Sequence, residues 1–159
     1  MQHQDAIALL KADHTKVKEL FAALEETSEH AKAQLTRLGT QICDELTVHT
    51  EIEEQIFYPA VRERTEGDHK AEHDLVLESF EEHAAAKKVI EDLRATDAAD
   101  ESYKPKVKAL SELIDHHVHE EEHELFPGAK KIFSREELDE LGSRMETLKS
   151  QLQQAAASA

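Results

Sequence analysis

At 159 residues, with 39% hydrophobic but only 4% aromatic side chains, the chain is long enough for one domain with a real core. Four glycines and three prolines are too few for an all-β chain of tight turns, whereas 34% charged residues with abundant Ala, Glu, Leu and Lys suit helices. A net charge of −16 opposes nucleic acid and anionic membrane as partners, and the longest apolar run, AIALL, is too short to span a bilayer.

The first helix carries Ile7, Leu10, His14, Val17, Phe21 and Leu24 at alternating spacings of three and four, one stripe of an amphipathic helix. A second runs from about Ser28 to Arg64, with Leu35, Leu38, Ile42, Leu46, His49, Glu53, Ile56 and Ala60 on one face. Thr65–Asp68, containing Gly67, breaks the pattern. The third stripe is Val76, Phe80, His83, Lys87 and Ile90, ending in the polar stretch 95–101. Pro105 suits the first turn of a fourth helix, with Val107, Leu110, Ile114, His117, Glu121 and Leu125 inward, which Pro127-Gly128 disturbs near its end. Ser134 and Glu137 form a capping box that opens a fifth helix to about Gln154, followed by a frayed AAASA tail. The expected fold is all-α: an antiparallel up-down-up-down four-helix bundle over residues 1–133, with an additional C-terminal helix and tail over 134–159.

Each of the four main stripes contains a histidine near mid-bundle, and the second and fourth add a glutamate one turn later. The chain also repeats. LTVHTEIEEQIFYP (46–59) aligns with IDHHVHEEEHELFP (114–127), placing His49 on His117, Glu53 on Glu121, Glu54 on Glu122 and Tyr58-Pro59 on Phe126-Pro127. One residue out of that register, DHTKVKELFAALEE (13–26) aligns with EHAAAKKVIEDLRA (82–95), placing His14 on His83. Two helical hairpins related by a pseudo-two-fold would each supply one lone histidine and one His-x-x-x-Glu pair.

Positions four apart on a helix lie about 40° apart around its axis, so each pair faces one space. An ionised glutamate on a buried stripe costs several kcal/mol unless paired, and two facing each other repel. Divalent cations remove that conflict. Imidazole and carboxylate donors suit iron, manganese or zinc, and the lack of inward thiolates argues against a structural zinc cage. Four histidines and two glutamates suit two octahedral ions with positions left open for a small oxidant.

DH at 13–14, HTEIEEQIFYP at 49–59, EEH at 81–83 and HHVHEEEHELFP at 116–127 resemble the hemerythrin-like, HHE cation-binding family over about residues 5–133. The resemblance implies a non-haem centre of two iron ions, oxo- or hydroxo-bridged, with His14, His49, His83 and His117 as ligands and Glu53 and Glu121 as bridging carboxylates. It departs from the oxygen carriers of that family, which place two histidines four apart on the third helix. Here His83 is flanked at that spacing by Ser79 and Lys87. Their last carboxylate follows its histidine by five residues, the spacing of Glu122 rather than Glu121. Fewer imidazoles favour turnover of hydrogen peroxide or reaction with O2 or NO, a catalase- or peroxidase-like role, over reversible oxygen storage. A non-enzymatic O2- or iron-sensing module is the alternative.

Lys87 either supplies a proton at the site or snorkels out of the bundle. Tyr58 falls roughly opposite His49 on the helix and packs beside Pro59, with a redox role as the lesser reading. His69/His73 and His119/His123 read as adventitious pairs, His116 as a flank residue, and the remaining EE and EEE glutamates as solvated. Cys43, the single cysteine, reads as a small hydrophobe and fits a reducing cytoplasm. Small molecules are the expected partners, with the oligomeric state, a monomer included, left open.

Overall fold

The computed structural model describes residues 4–158, all helix and connecting turns, with no strand among them. The order is α1 (Ala6–Glu26), α2 (Lys32–Ile52), a π-helical turn (Glu53–Phe57), α3 (Tyr58–Arg64), α4 (Lys70–Arg94), α5 (Tyr103–Glu120), a second π-helical turn (Glu121–Leu125), α6 (Phe126–Ile132) and α7 (Arg135–Ser158). α3 and α6 continue α2 and α5 past their π-turns. The bundle is therefore four long rods, with α1 against α2 and α5, and α4 against the same two. α7 lies outside this ring and packs on α1 and α2. The stripes read from the sequence are the buried faces, except that Ala60 and Phe80 are half-buried and Lys87 is exposed.

The caps explain where the rods begin. Asp5 accepts from the Ala8 amide at 2.8 Å and opens α1. Ser134 and Glu137 form the expected box, with the Glu137 amide donating to Ser134 Oγ at 3.1 Å and the Ser134 amide to Glu137 Oε1 at 2.9 Å. Gly67 (φ 80°) and His69 (φ 49°) turn the chain between α3 and α4. Two boundaries differ from expectation. Ser28 lies in a turn, accepting from the His30 amide through its hydroxyl, so α2 begins four residues later at Lys32. The alanines after Gln154 continue α7 to Ser158 rather than fraying, in keeping with their high helix propensity.

Two apolar clusters fill the bundle. One, around Leu10, Phe57, Phe126 and Val61, includes Leu138, Leu141 and Met145 of α7. The other, around Leu24, Leu35, Ile42 and Leu110, occupies the opposite end. Between them lies a polar layer containing His14, His49, Glu53, His83, His117 and Glu121, all buried.

α7 crosses the start of α1 at Gly142, where a Cβ would come within 2.5 Å of Gln4 O and 2.7 Å of Ala6 N. Those neighbours are backbone and cannot yield without moving the helix. Gly142→Ala is therefore expected to destabilise the fold by about 1–3 kcal/mol despite alanine's better helix propensity, as read from urea unfolding midpoints.

Candidate metal centre

The polar layer is built by two pairs of rods in the same way. The rings of His14 and His49 meet edge-on at 4.9 Å and 64°, and those of His83 and His117 at 4.7 Å and 64°. Glu53 Oε1 lies 3.0 Å from His49 Nε2 and 3.3 Å from His83 Nε2, while Glu121 Oε1 lies 3.1 Å from His14 Nε2 and 3.3 Å from His117 Nε2. Each glutamate thus touches one imidazole from each half. All six side chains named from the sequence converge.

Each imidazole is also held from behind. The Nδ1 atoms of His14, His49, His83 and His117 meet Glu122 at 2.7 Å, Asp13 at 2.9 Å, Glu54 at 3.0 Å and Glu82 at 2.8 Å. A carboxylate at Nδ1 fixes a proton there and turns Nε2 inward, the arrangement that orients histidine for a metal. From spacing alone Glu54 and Glu82 belong with the solvated carboxylates, and nothing marks Asp13 for this role. The repeat carried the signal, because Asp13 aligns with Glu82 and Glu54 with Glu122. Glu122, at the longer spacing, serves His14 from outside rather than joining Glu121 inside.

Tyr58 departs most from expectation. It is fully buried, and its hydroxyl donates to Glu121 Oε2 at 2.7 Å, with His117 Nε2 and His83 Nε2 at 3.1 and 3.3 Å. The π-turn is the reason. Residues five apart on an α-helix diverge by about 140°, but here the Tyr58 amide donates to Glu53 O, five residues back, and the wider turn brings Tyr58 round toward the face that Glu53 occupies. Pro59 lacks an N–H for the carbonyl four residues back, which falls inside that turn, and Pro127 does the same in the other half. There the Phe126 amide donates to Glu121 O and its ring stacks on His14 at 5.9 Å and 8°. The pseudo-symmetry therefore breaks here, with a phenol facing one histidine pair and a phenyl the other.

Lys87 does not point into the centre. Its side chain is 45% exposed and its ammonium pairs with Glu54 at 2.8 Å, so it snorkels to the rim as its flexible stem allows. The secondary histidines stay outside too. His73 meets the Thr65 hydroxyl at 3.0 Å, His119 and His123 stack on one another at 4.1 Å, and His116, exposed, pairs with Glu120 at 3.0 Å. Cys43 is buried, and burial raises its thiol pKa, as befits a packing residue.

The residues fit a cation. Glu53 has no accessible surface, yet neither carboxylate oxygen has a hydrogen bond, and His49 Nε2, though 3.0 Å away, is misaligned for one and equally unsatisfied. A buried carboxylate left in that state is costly. Donor atoms of His14, His49, Glu53 and Glu121 form one group within 4.8 Å, and those of Glu53, His83 and His117 form a second, so Glu53 is common to both.

In the metal-free fold, protons take the place of positive charge. Burial alone would depress the His49 pKa, but Glu53 and Asp13 outweigh it and raise it to about 10. His83 and His117 are raised against the same desolvation by Glu53 with Glu54 and by Glu121 with Glu82, respectively. Burial opposes the charge on Glu121, yet the neighbouring imidazoles hold its pKa well below the carboxylate range. For His49 the folded pKa lies above its ordinary 6.5, so its contribution to metal-free stability is full below 6.5 and is lost as pH rises through about 10. A cation must displace these protons. Loading the metal-free protein at pH 7.5 is expected to release more than one proton per chain, measured in weak buffer, and apparent affinity should climb with pH.

Residues 5–129 match the family described as the hemerythrin HHE cation binding domain. A crystal structure of a hemerythrin HHE cation binding domain-containing protein, the Rv2633c homolog from Mycobacterium kansasii, superposes with a TM-score of 0.82 over 98% of this chain and 91% of that one, at 23% identity. A protein from Nostoc sp. named DNA nickase is 31% identical over 155 residues. That alignment covers 97% of this chain but 41% of the Nostoc protein. With a family match over most of the bundle and the same fold in a solved relative, the chain belongs to the hemerythrin HHE cation-binding domain family.

Proposed function

We propose that the centre is built for two iron ions, one that His14 and His49 would hold and one that His83 and His117 would hold, with Glu53 and Glu121 serving both, and that the protein consumes small oxidants. The observation that carries this is Glu53: fully buried, unsatisfied at both oxygens, and placed between imidazoles of both halves. A bound iron pair supplies redox equivalents and open coordination positions; the chain supplies the rest. The four Nδ1 contacts orient the donors. Tyr58 keeps its hydroxyl proton aimed at Glu121 Oε2, which fixes that carboxylate beside the imidazoles of His83 and His117. The apolar clusters at either end exclude bulk water. A cavity of about 310 Å³ between α1 and α5 reaches His14 and Glu122 past Phe21, Ile114 and Val118, a size for small molecules.

On this reading residues 1–133 carry the centre and 134–159 brace it, in a cytoplasmic protein whose partners are peroxide, O2 or NO. A nuclease role, drawn from the Nostoc protein's name, is opposed by the net charge of −16. No helix among the described residues is long and apolar enough to cross a membrane.

Iron-loaded protein given hydrogen peroxide should evolve O2 at an electrode, one O2 for every two peroxides consumed. Glu53→Gln should lower that rate at least about 10-fold. A stable, reversible O2 adduct without turnover would instead make this a binding or sensing module.

A further inference from the structure

Among the four carboxylates behind the imidazoles, Asp13 stands apart. The side chains of Glu54 and Glu82 are 20% exposed and that of Glu122 is 31%, whereas Asp13 is 5% exposed. Its Oδ2 accepts a hydrogen bond from His49 Nδ1 at 2.9 Å, and its Oδ1 meets Lys149 Nζ at 2.5 Å. Lys149 comes from α7, beyond the residues of the family match. Its pseudo-symmetric counterpart is different in kind: Glu82, behind His117, meets the exposed imidazole of His116 at 3.6 Å from within the bundle itself.

We propose that Lys149 is a positioning residue of the metal centre, acting through Asp13 on His49, and that α7 is thereby a functional part of the site. This rests on the reading of His49 as a metal ligand. A carboxylate this buried is stable only while both oxygens are satisfied, and removing the ammonium leaves Oδ1 with a strong incentive to rotate toward water. Rotation would take Oδ2 away from His49 Nδ1 and free the ring to turn. The ion held by His14 and His49 would loosen, while the ion held by His83 and His117, whose carboxylates take Lys87 and His116, would not.

The test is release of metal from the loaded protein to a chelator, followed as two kinetic phases, in wild type, Lys149→Met and Lys149→Arg. Lys149→Met should accelerate one phase about 10-fold and leave the other unchanged, with Lys149→Arg restoring the wild-type rate. Lys87→Met, which removes the partner of the more exposed Glu54, should leave both phases at their wild-type rates, because water can take the place of that ammonium. Unchanged release in Lys149→Met would overturn the proposal. So would acceleration of both phases together, in step with a lowered unfolding midpoint, because that reports only a loosened α7. A wild-type protein that takes up no metal overturns the reading of the centre itself, and the proposal with it.

Discussion

Two glutamates, Glu53 and Glu121, are buried to 0% and 1% exposure in the middle of a helical bundle, and much of the rest follows from that placement. Neither can be left as a bare anion in an apolar interior. Four imidazoles surround them, and those imidazoles must present Nε2 inward, so each needs an acceptor behind it. The outer acceptors in turn take Lys149, Lys87 or His116 in three of the four cases. Charge alternates outward in shells, negative, positive, negative, positive, until it reaches solvent. The two apolar clusters confine this to one layer and carry the folding energy that the polar layer does not supply.

The duplicated hairpin supplies the shells in matched pairs, and its imperfections give the centre two distinguishable sides. His14/His49 and His83/His117 meet at the same interplanar angle, yet one pair faces Phe126 and the other Tyr58. The phenol enters the site only because a π-turn adds one residue to the helical register at Glu53–Phe57. Without that turn, the stretch from His49 to Tyr58 would aim the ring away from the centre.

How much of this the sequence carried depends on the kind of information involved. Helical period places His14, His49, Glu53, His83, His117 and Glu121 on inward stripes, and the internal repeat selects His117 and Glu121 from a crowded stretch. Both are regular signals, and both match the geometry. Tyr58 was misplaced because counting residues assumes an unbroken α-helix; Pro59 and Pro127, at equivalent points of the repeat, were the available warning. Glu54 and Glu82 read as solvated because carboxylates at the edge of a stripe are ordinarily so, and only a partner on another helix changes that. Lys149 was illegible for the same reason. Its distance from Asp13 in sequence is bridged solely by how α7 lies across α1, fixed by the close approach at Gly142. Lys87, on the stripe by count, escapes it because a long flexible stem lets its charge reach the rim.

We propose that the buried carboxylates and imidazoles hold two metal ions, and metal content per chain tests this most directly. Untagged protein, grown with iron and purified without chelator, should contain close to two irons by plasma mass spectrometry, and Glu53→Ala should retain less than one. A fully folded protein with no bound metal, or with the same content in Glu53→Ala as in wild type, would contradict the account.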